Sequence, residues 1–185
     1  MAIGAIHLEK FIQDFVNEVR AIAPVQHPNV LRFLGFVNQD NENIGLVYPW
    51  MQNNNLNSYL VLHPDADRCQ LCVEVAEGIV YLHSMGIIHG DLRARNVLIS
   101  DGGVAKITGF GSSVLERDIP ERHRFFQFAP RWAAPERMFE DERSWPNESQ
   151  FASRTQLAEK FVDSTRPWVP SWPTTKSDVW SLALV

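Results

Sequence analysis

The sequence predicts an α+β fold, and three observations carry that expectation. Residues 8–22 place Leu8, Phe11, Ile12, Phe15, Val19 and Ile22 at helical spacing with charges between them. Two apolar segments, residues 31–37 and 44–51, flank the polar stretch 38–43, as in a strand hairpin. Residues 66–85 then return to helical period through Cys69, Cys72, Val73, Ala76, Ile79, Val80 and Leu82.

Each element has its punctuation. Pro24 and the run His27-Pro28-Asn29 stop the first helix, because proline has no N–H for the helical ladder and restricts its predecessor. Asn53 to Asn55 opens a turn, and a short helix over 56–62 follows it. The long helix 66–85 delivers the chain to His89. Residues 150–162 read as a further short helix.

Composition excludes more than it selects. The 185 residues are 45% hydrophobic and 21% charged, which suits one globular domain with a core. The net charge of −5 is spread without long runs, so neither nucleic acid nor an anionic membrane surface is an expected partner. No apolar run approaches the roughly 18 residues that span a bilayer, and the first residues lack the order of a signal peptide. A cytoplasmic location is the expectation.

Cys69 and Cys72 form a lone C-x-x-C. A redox pair or half a zinc site shares that spacing, but no second pair completes four ligands. The expectation is two small apolar residues on one helix face. Asn147-Glu-Ser149 matches the glycosylation pattern, which has no meaning without secretion.

The chemistry lies in two linked segments, Ile87-Ile-His-Gly-Asp-Leu-Arg-Ala-Arg-Asn-Val-Leu98 and Lys106-Ile-Thr-Gly-Phe-Gly111. With His27-Pro-Asn-Val30, Tyr81-Leu-His83, Ala134-Pro-Glu136 and Ser177-Asp-Val-Trp180 in the same order, they resemble the protein kinase superfamily over about three quarters of the chain. The resemblance implies an incomplete kinase fold. Residues 1–47 correspond to a partial N-lobe (helix αC and the fourth and fifth strands), 48–55 to the hinge, and 56–185 to a partial, mainly helical C-lobe with an insertion at about 140–173.

That family transfers a phosphoryl group from ATP to Ser, Thr or Tyr hydroxyls of proteins. The resemblance makes Asp91 the proton acceptor and Asn96 a magnesium ligand, whereas Gly109 stands where the main metal carboxylate belongs. The spacing from Asp91 equals that of the two family aspartates, so Gly109 is a replacement. Glu18 resembles the αC glutamate, but its lysine partner would fall at or before Met1, and Lys10 is too close on the same helix. The glycine-rich loop over the phosphates is also absent.

In the hinge, Tyr48 corresponds to the gatekeeper, the Pro49 carbonyl and the Met51 backbone to the adenine contacts, and Leu98 to the floor under the base. Proline costs nothing there, since only its carbonyl is used. ATP is therefore the implied cofactor, weakly held, while Mg2+ lacks its chief ligand. Gly90 replaces an arginine that pairs with phosphorylated activation loops. Ser112 and Ser113 are the hydroxyls that follow, and no tyrosine lies between Gly111 and Trp132, as in an unswitched loop. The tryptophan at 132 and the run Asp-Leu-Arg-Ala-Arg-Asn96 resemble tyrosine kinases and tyrosine-kinase-like kinases. His89, Phe110, Glu136 and Asp178 take the family's structural positions, with Asp178 expected to bond the catalytic-loop backbone.

The insertion holds Trp145, Trp168 and Trp172 with four prolines, and reads equally as a docking loop or as translated intron. The reading is a catalytically impaired protein-kinase-like domain. It leaves open a non-catalytic pseudokinase that binds protein partners through the αC face or the insertion, and an incomplete gene product with no function of its own. The sequence stops inside what should be the buried central helix, so exposed apolar surface is also expected.

Overall fold

The computed structural model describes residues 15–16, 18–39, 43–118, 131–134 and 173–185. Lys10, Glu136, the tryptophans of the insertion and the helix proposed over 150–162 lie outside the described residues. Helix α1 ends at residue 22 and includes 15–16 and 18–22. Strands β1 (Gly35–Gln39) and β2 (Asn43–Val47) follow as an antiparallel pair with Gly35 opposite Val47. A hairpin forms as the apolar pattern suggested, but β1 covers Gly35–Gln39 and not 31–37, and β2 covers Asn43–Val47 and stops short of 51, so the link between them is shorter than the expected 38–43. Leu31 is engaged elsewhere: its N–H donates to the Ile107 carbonyl at 2.8 Å, and the Ile107 N–H donates to the Asn29 carbonyl at 2.8 Å.

Helix α2 is Leu56–Leu62, capped by the Asn55 side chain, which accepts from the Ser58 N–H. Helix α3 is Arg68–Ser84, and Asp67 caps it by accepting from Gln70 N–H at 2.9 Å. Three short antiparallel pairings follow from β3 (Ile87–Ile88), β4 (Val97–Ile99), β5 (Ala105–Ile107) and β6 (Val114–Leu115), counting the hairpin: β1 with β2, β3 with β6, and β4 with β5. Helix α4 is Thr175–Leu182, opened by a reciprocal capping box between Thr174 and Ser177.

The core gathers between α3 and the β4–β5 pair. Leu82, Leu92, Val97, Ile99, Ile107 and Phe110 are almost wholly removed from water, each such side chain contributing roughly 1.5–3 kcal/mol. Helix α3 buries Ile79 and Leu82 as its apolar periodicity suggested, but the rest of its inward face is rotated from that expectation. Leu71, Val75, Gly78, Ile79 and Leu82 are buried, while Val73 and Val80 are exposed and both cysteines are free and exposed. Two apolar stripes compete on this helix, and β5 packs on the one that holds Gly78, where an added Cβ would lie 2.7 Å from Ile107 Cδ1. Among the described residues no helix is long and apolar enough to cross a membrane.

Candidate functional site

The loop from Ile88 to Val97 is held open as a platform by contacts from three directions. Asp178 on α4, 1% exposed, accepts from the backbone N–H of His89 at 2.7 Å and of Gly90 at 2.9 Å, and from His83 Nε2 at 2.9 Å. A carboxylate removed from water is tolerated when several donors face it. His89, also buried, donates from Nε2 to the Thr108 carbonyl at 2.9 Å, which leaves Nδ1 to accept from Asp91 N–H. Ser113 Oγ donates to the His89 carbonyl at 3.0 Å, and Phe110 lies against the imidazole, ring centroids 5.2 Å apart. The β3–β6 pairing clasps both ends of this region.

Asp91 is partly exposed at the centre. The Asn96 amide donates to its carbonyl at 2.8 Å and to its Oδ2 at 2.9 Å. Arg93 Nε lies 3.2 Å from the same Oδ2. That contact is a charge pair without a directed hydrogen bond, because the buried Nε has no bonded partner. Trp132 completes the rim, with the guanidinium of Arg93 at 5.9 Å and that of Arg131 at 5.6 Å from its ring centroid.

Two glycines shape this centre. Gly109 sits at φ +83°, and a Cβ placed there would lie 2.7 Å from Asn96 Cγ. Asn96 thus fills the space into which a side chain at 109 would grow. Gly90 sits at φ +79°, and its Cβ would lie 2.5 Å from the Ser112 carbonyl oxygen, so glycine lets the 88–97 loop touch the segment at Ser112 backbone to backbone.

The residues present do not fit a magnesium centre. Magnesium asks for near-octahedral oxygen ligation anchored by one or two carboxylates. Here position 109 supplies none, and the Asp91 carboxylate is engaged by Asn96 Nδ2 and lies beside Arg93, so that Asn96 Oδ1 is the oxygen this pair leaves outside those bonds. Among the described residues no three His, Cys, Asp or Glu side chains cluster as metal ligands would.

Residues 48–55, where the hinge was expected, retain open backbone groups among the described residues. The Met51 carbonyl accepts from Asn54 N–H at 3.2 Å, but neither the Pro49 carbonyl nor the Met51 N–H has a bonded partner among the described residues. Asn53 Nδ2 donates to the Ser100 carbonyl and Ile99 N–H to the Asn54 carbonyl, which ties the hinge to β4 beside the half-buried Leu98. Tyr48 packs edge-on against Phe33 at 5.9 Å.

Glu18 approaches this region from α1, its Oε2 3.7 Å from where a Cβ on Gly111 would be. Burial raises its pKa above the usual carboxylate value, and no cation pairs with it among the described residues. The Tyr48 hydroxyl is also pushed up, first by burial and then by the Glu18 carboxylate. The site thus brings together Asp91, Asn96, Gly109, His89, Phe110 and Asp178. Arg93, His83 and Trp132 are contributors to which sequence reasoning assigned no role. Their signal was position, since Arg93 stands two residues after Asp91, and His83 ends the Tyr-Leu-His run.

Relatives agree with this architecture. The profile of the protein tyrosine and serine/threonine kinase family matches residues 3–150. A G-type lectin S-receptor-like serine/threonine-protein kinase of Oryza sativa subsp. indica is 39% identical over 109 residues, 56% of this chain and 13% of the relative. A tyrosine-protein kinase of Spongilla lacustris is 32% identical over 134 residues, 68% of this chain and 39% of the relative. A cysteine-rich receptor-like protein kinase of Arabidopsis thaliana is 35% identical over 122 residues, 60% of this chain and 18% of the relative. The chain therefore spans 13 to 39% of the length of these relatives. On that match, and on the motifs it contains, the chain belongs to the protein tyrosine and serine/threonine kinase family.

Proposed function

We propose that this chain is a kinase-like domain in which phosphoryl transfer is disabled at the metal position. In the proposed layout residues 1–47 are part of an N-lobe, 48–55 the hinge and 56–185 part of a C-lobe interrupted at about 140–173. One observation carries the reading: the Cβ space of Gly109 is filled by Asn96, whose amide hydrogens bond Asp91. The family reaction needs ATP and divalent metal, and its catalysis is mostly positioning and charge stabilisation. Loss of one such group commonly costs a hundredfold to a thousandfold in rate, about 3–4 kcal/mol.

In this reading Asp91 retains the location of the proton acceptor, but its carboxylate is held by Asn96 and Arg93 and serves the loop's own structure. A transfer assay with labelled ATP, a mixed Ser/Thr/Tyr acceptor and either Mg2+ or Mn2+ tests it. The expected result is no transfer above an Asp91→Asn control. Metal-dependent transfer abolished by that substitution would sink the proposal.

A second reading, a binding module in the cytoplasm that takes adenine nucleotide without metal, is favoured by the Pro49 carbonyl and Met51 N–H, neither of which has a bonded partner among the described residues. Protein partners would then meet the face of α1 or the tryptophan-rich insertion. A ligand that binds only the folded state raises the unfolding midpoint. ATP raising it equally with Mg2+ and with a chelator supports this reading, and no shift at millimolar ATP refutes it.

A further inference from the structure

Asp101 is the one aspartate of the sequence that is followed by glycine, and no asparagine precedes a glycine. Asp101 and Gly102 occupy the two central positions of the turn that joins β4 to β5. The ends of this turn are tied together: Gly103 N–H donates to the Ser100 carbonyl at 2.9 Å, Ser100 N–H to the Val104 carbonyl at 2.9 Å, and Val104 N–H to Ser100 Oγ at 3.1 Å. Its tip is not. Asp101 and Gly102 are exposed, and a Cβ placed on Gly102 would meet no atom within 4 Å. Neither the Asp101 carboxylate nor the Gly102 N–H has a hydrogen bond among the described residues.

Other aspartates are held in place. The Asp67 carboxylate caps α3, that of Asp91 is bonded by Asn96, and that of Asp178 is buried beneath three donors. In contrast, the peptide unit between the central residues of a β-turn rotates between turn types while the closing hydrogen bond persists, and glycine at the second central position accepts either sign of φ. That rotation swings the Gly102 nitrogen past the Asp101 side chain, with no Cβ on Gly102 to shield it.

We propose that Asp101-Gly102 is a self-modification site, at which the folded chain rearranges to an isoaspartyl linkage. The Gly102 nitrogen attacks Asp101 Cγ in its neutral carboxyl form. A new N–C bond closes a cyclic succinimide, and the carboxyl hydroxyl leaves with the amide proton as water. A second water then opens the ring. Opening at Cγ restores aspartate, whereas opening at the α-carbonyl leaves the main chain running through Cβ and Cγ. No oxidant, reductant or metal takes part.

The isoaspartyl form adds one methylene to the turn and frees an α-carboxylate at its tip. That carboxylate is the group to which an isoaspartyl methyltransferase transfers a methyl from S-adenosylmethionine, releasing S-adenosylhomocysteine. The altered linkage enters beside the centre of the core, because the turn connects the fully buried Val97 and Ile99 to Ala105 and Ile107. This inference does not depend on whether the 88–97 loop transfers phosphate.

The test is prolonged incubation of the full chain at mildly acidic pH, followed by trypsin and mass analysis of the fragment from Asn96 to Lys106. Isoaspartate is a second chromatographic peak of unchanged mass that accepts labelled methyl groups from S-adenosylmethionine and the methyltransferase. The succinimide is lighter by one water. The folded chain is expected to convert within about tenfold of the rate of the free fragment incubated in parallel, because local motion of the tip breaks no bond of the fold. Gly102→Val, for which the structure has room, shields the nitrogen and is expected to slow conversion about tenfold or more. Conversion of the folded chain more than about tenfold below the free fragment, or Gly102→Val converting as fast as wild type, would overturn the proposal.

Discussion

Asp178 Oδ2 lies 2.7 Å from the backbone nitrogen of His89, a hydrogen bond across 89 positions of sequence that fixes the platform on which Asp91 stands. The same carboxylate serves Gly90 and His83, so its removal leaves three donors unanswered, two of them buried backbone groups. Asp178→Ala is expected to destabilise the fold by about 3 kcal/mol or more. Asp178→Asn keeps one acceptor oxygen and costs less. Urea denaturation checks both, and a loss below about 0.5 kcal/mol for alanine would mean the anchor is idle.

Asn96 and Gly109 behave as a compensated pair. Gly109→Ala strains a left-handed backbone, at roughly 1–2 kcal/mol, and also drives its Cβ into Asn96. Removing the obstacle should recover part of that loss. In a double-mutant cycle with Asn96→Ala, the double variant is expected to be more stable than the sum of the single effects by about 1 kcal/mol or more. Strict additivity would show that the two sites do not meet.

Gly90→Arg would restore the family's arginine and is nonetheless expected to destabilise. Its Cβ meets the Ser112 carbonyl, a backbone atom that no side-chain rotation can clear, and φ +79° adds about 1–2 kcal/mol. A thermal midpoint lowered by several degrees is the expected reading. An unchanged midpoint would contradict the close approach.

Glu18 gives a pH signature of defined sign. Burial raises its folded pKa above the unfolded value, so the folded state holds its proton more tightly. The contribution to stability is therefore fully present below the ordinary carboxylate pKa and is lost as pH rises through the raised one. Glu18→Gln should stabilise the chain at pH 7 relative to wild type and should flatten this part of the stability profile. Wild type and variant with parallel profiles between pH 4 and 7 would refute it.

Much of the site was legible because its residues are local in sequence. The turn at 53–55 and the helix 56–62 follow from Asn55, whose side chain caps the helix it precedes. The reading of Gly109 as a replacement comes from the family resemblance, in which its separation from Asp91 matches that of the two family aspartates. What sequence could not supply is competition between faces. Cys69, Val73 and Val80 have helical period as good as that of Leu71 and Val75, and packing against the rest of the fold decides which of them join Ile79 and Leu82 in the core. Likewise, Leu31 has the apolar character of a strand residue, but its N–H is taken by Ile107 from far along the chain. That the Asn96 amide donates to Asp91, and that Asn96 lies against Gly109, are spatial relations that spacing does not give.

The anchoring of the catalytic loop through Asp178 also imposes an order on biosynthesis. His89 and Gly90 emerge from the ribosome long before α4 does, so their N–H groups must face solvent, or a chaperone, until α4 follows. The loop thus takes its final shape only after α4 has been made, however early its own residues emerge.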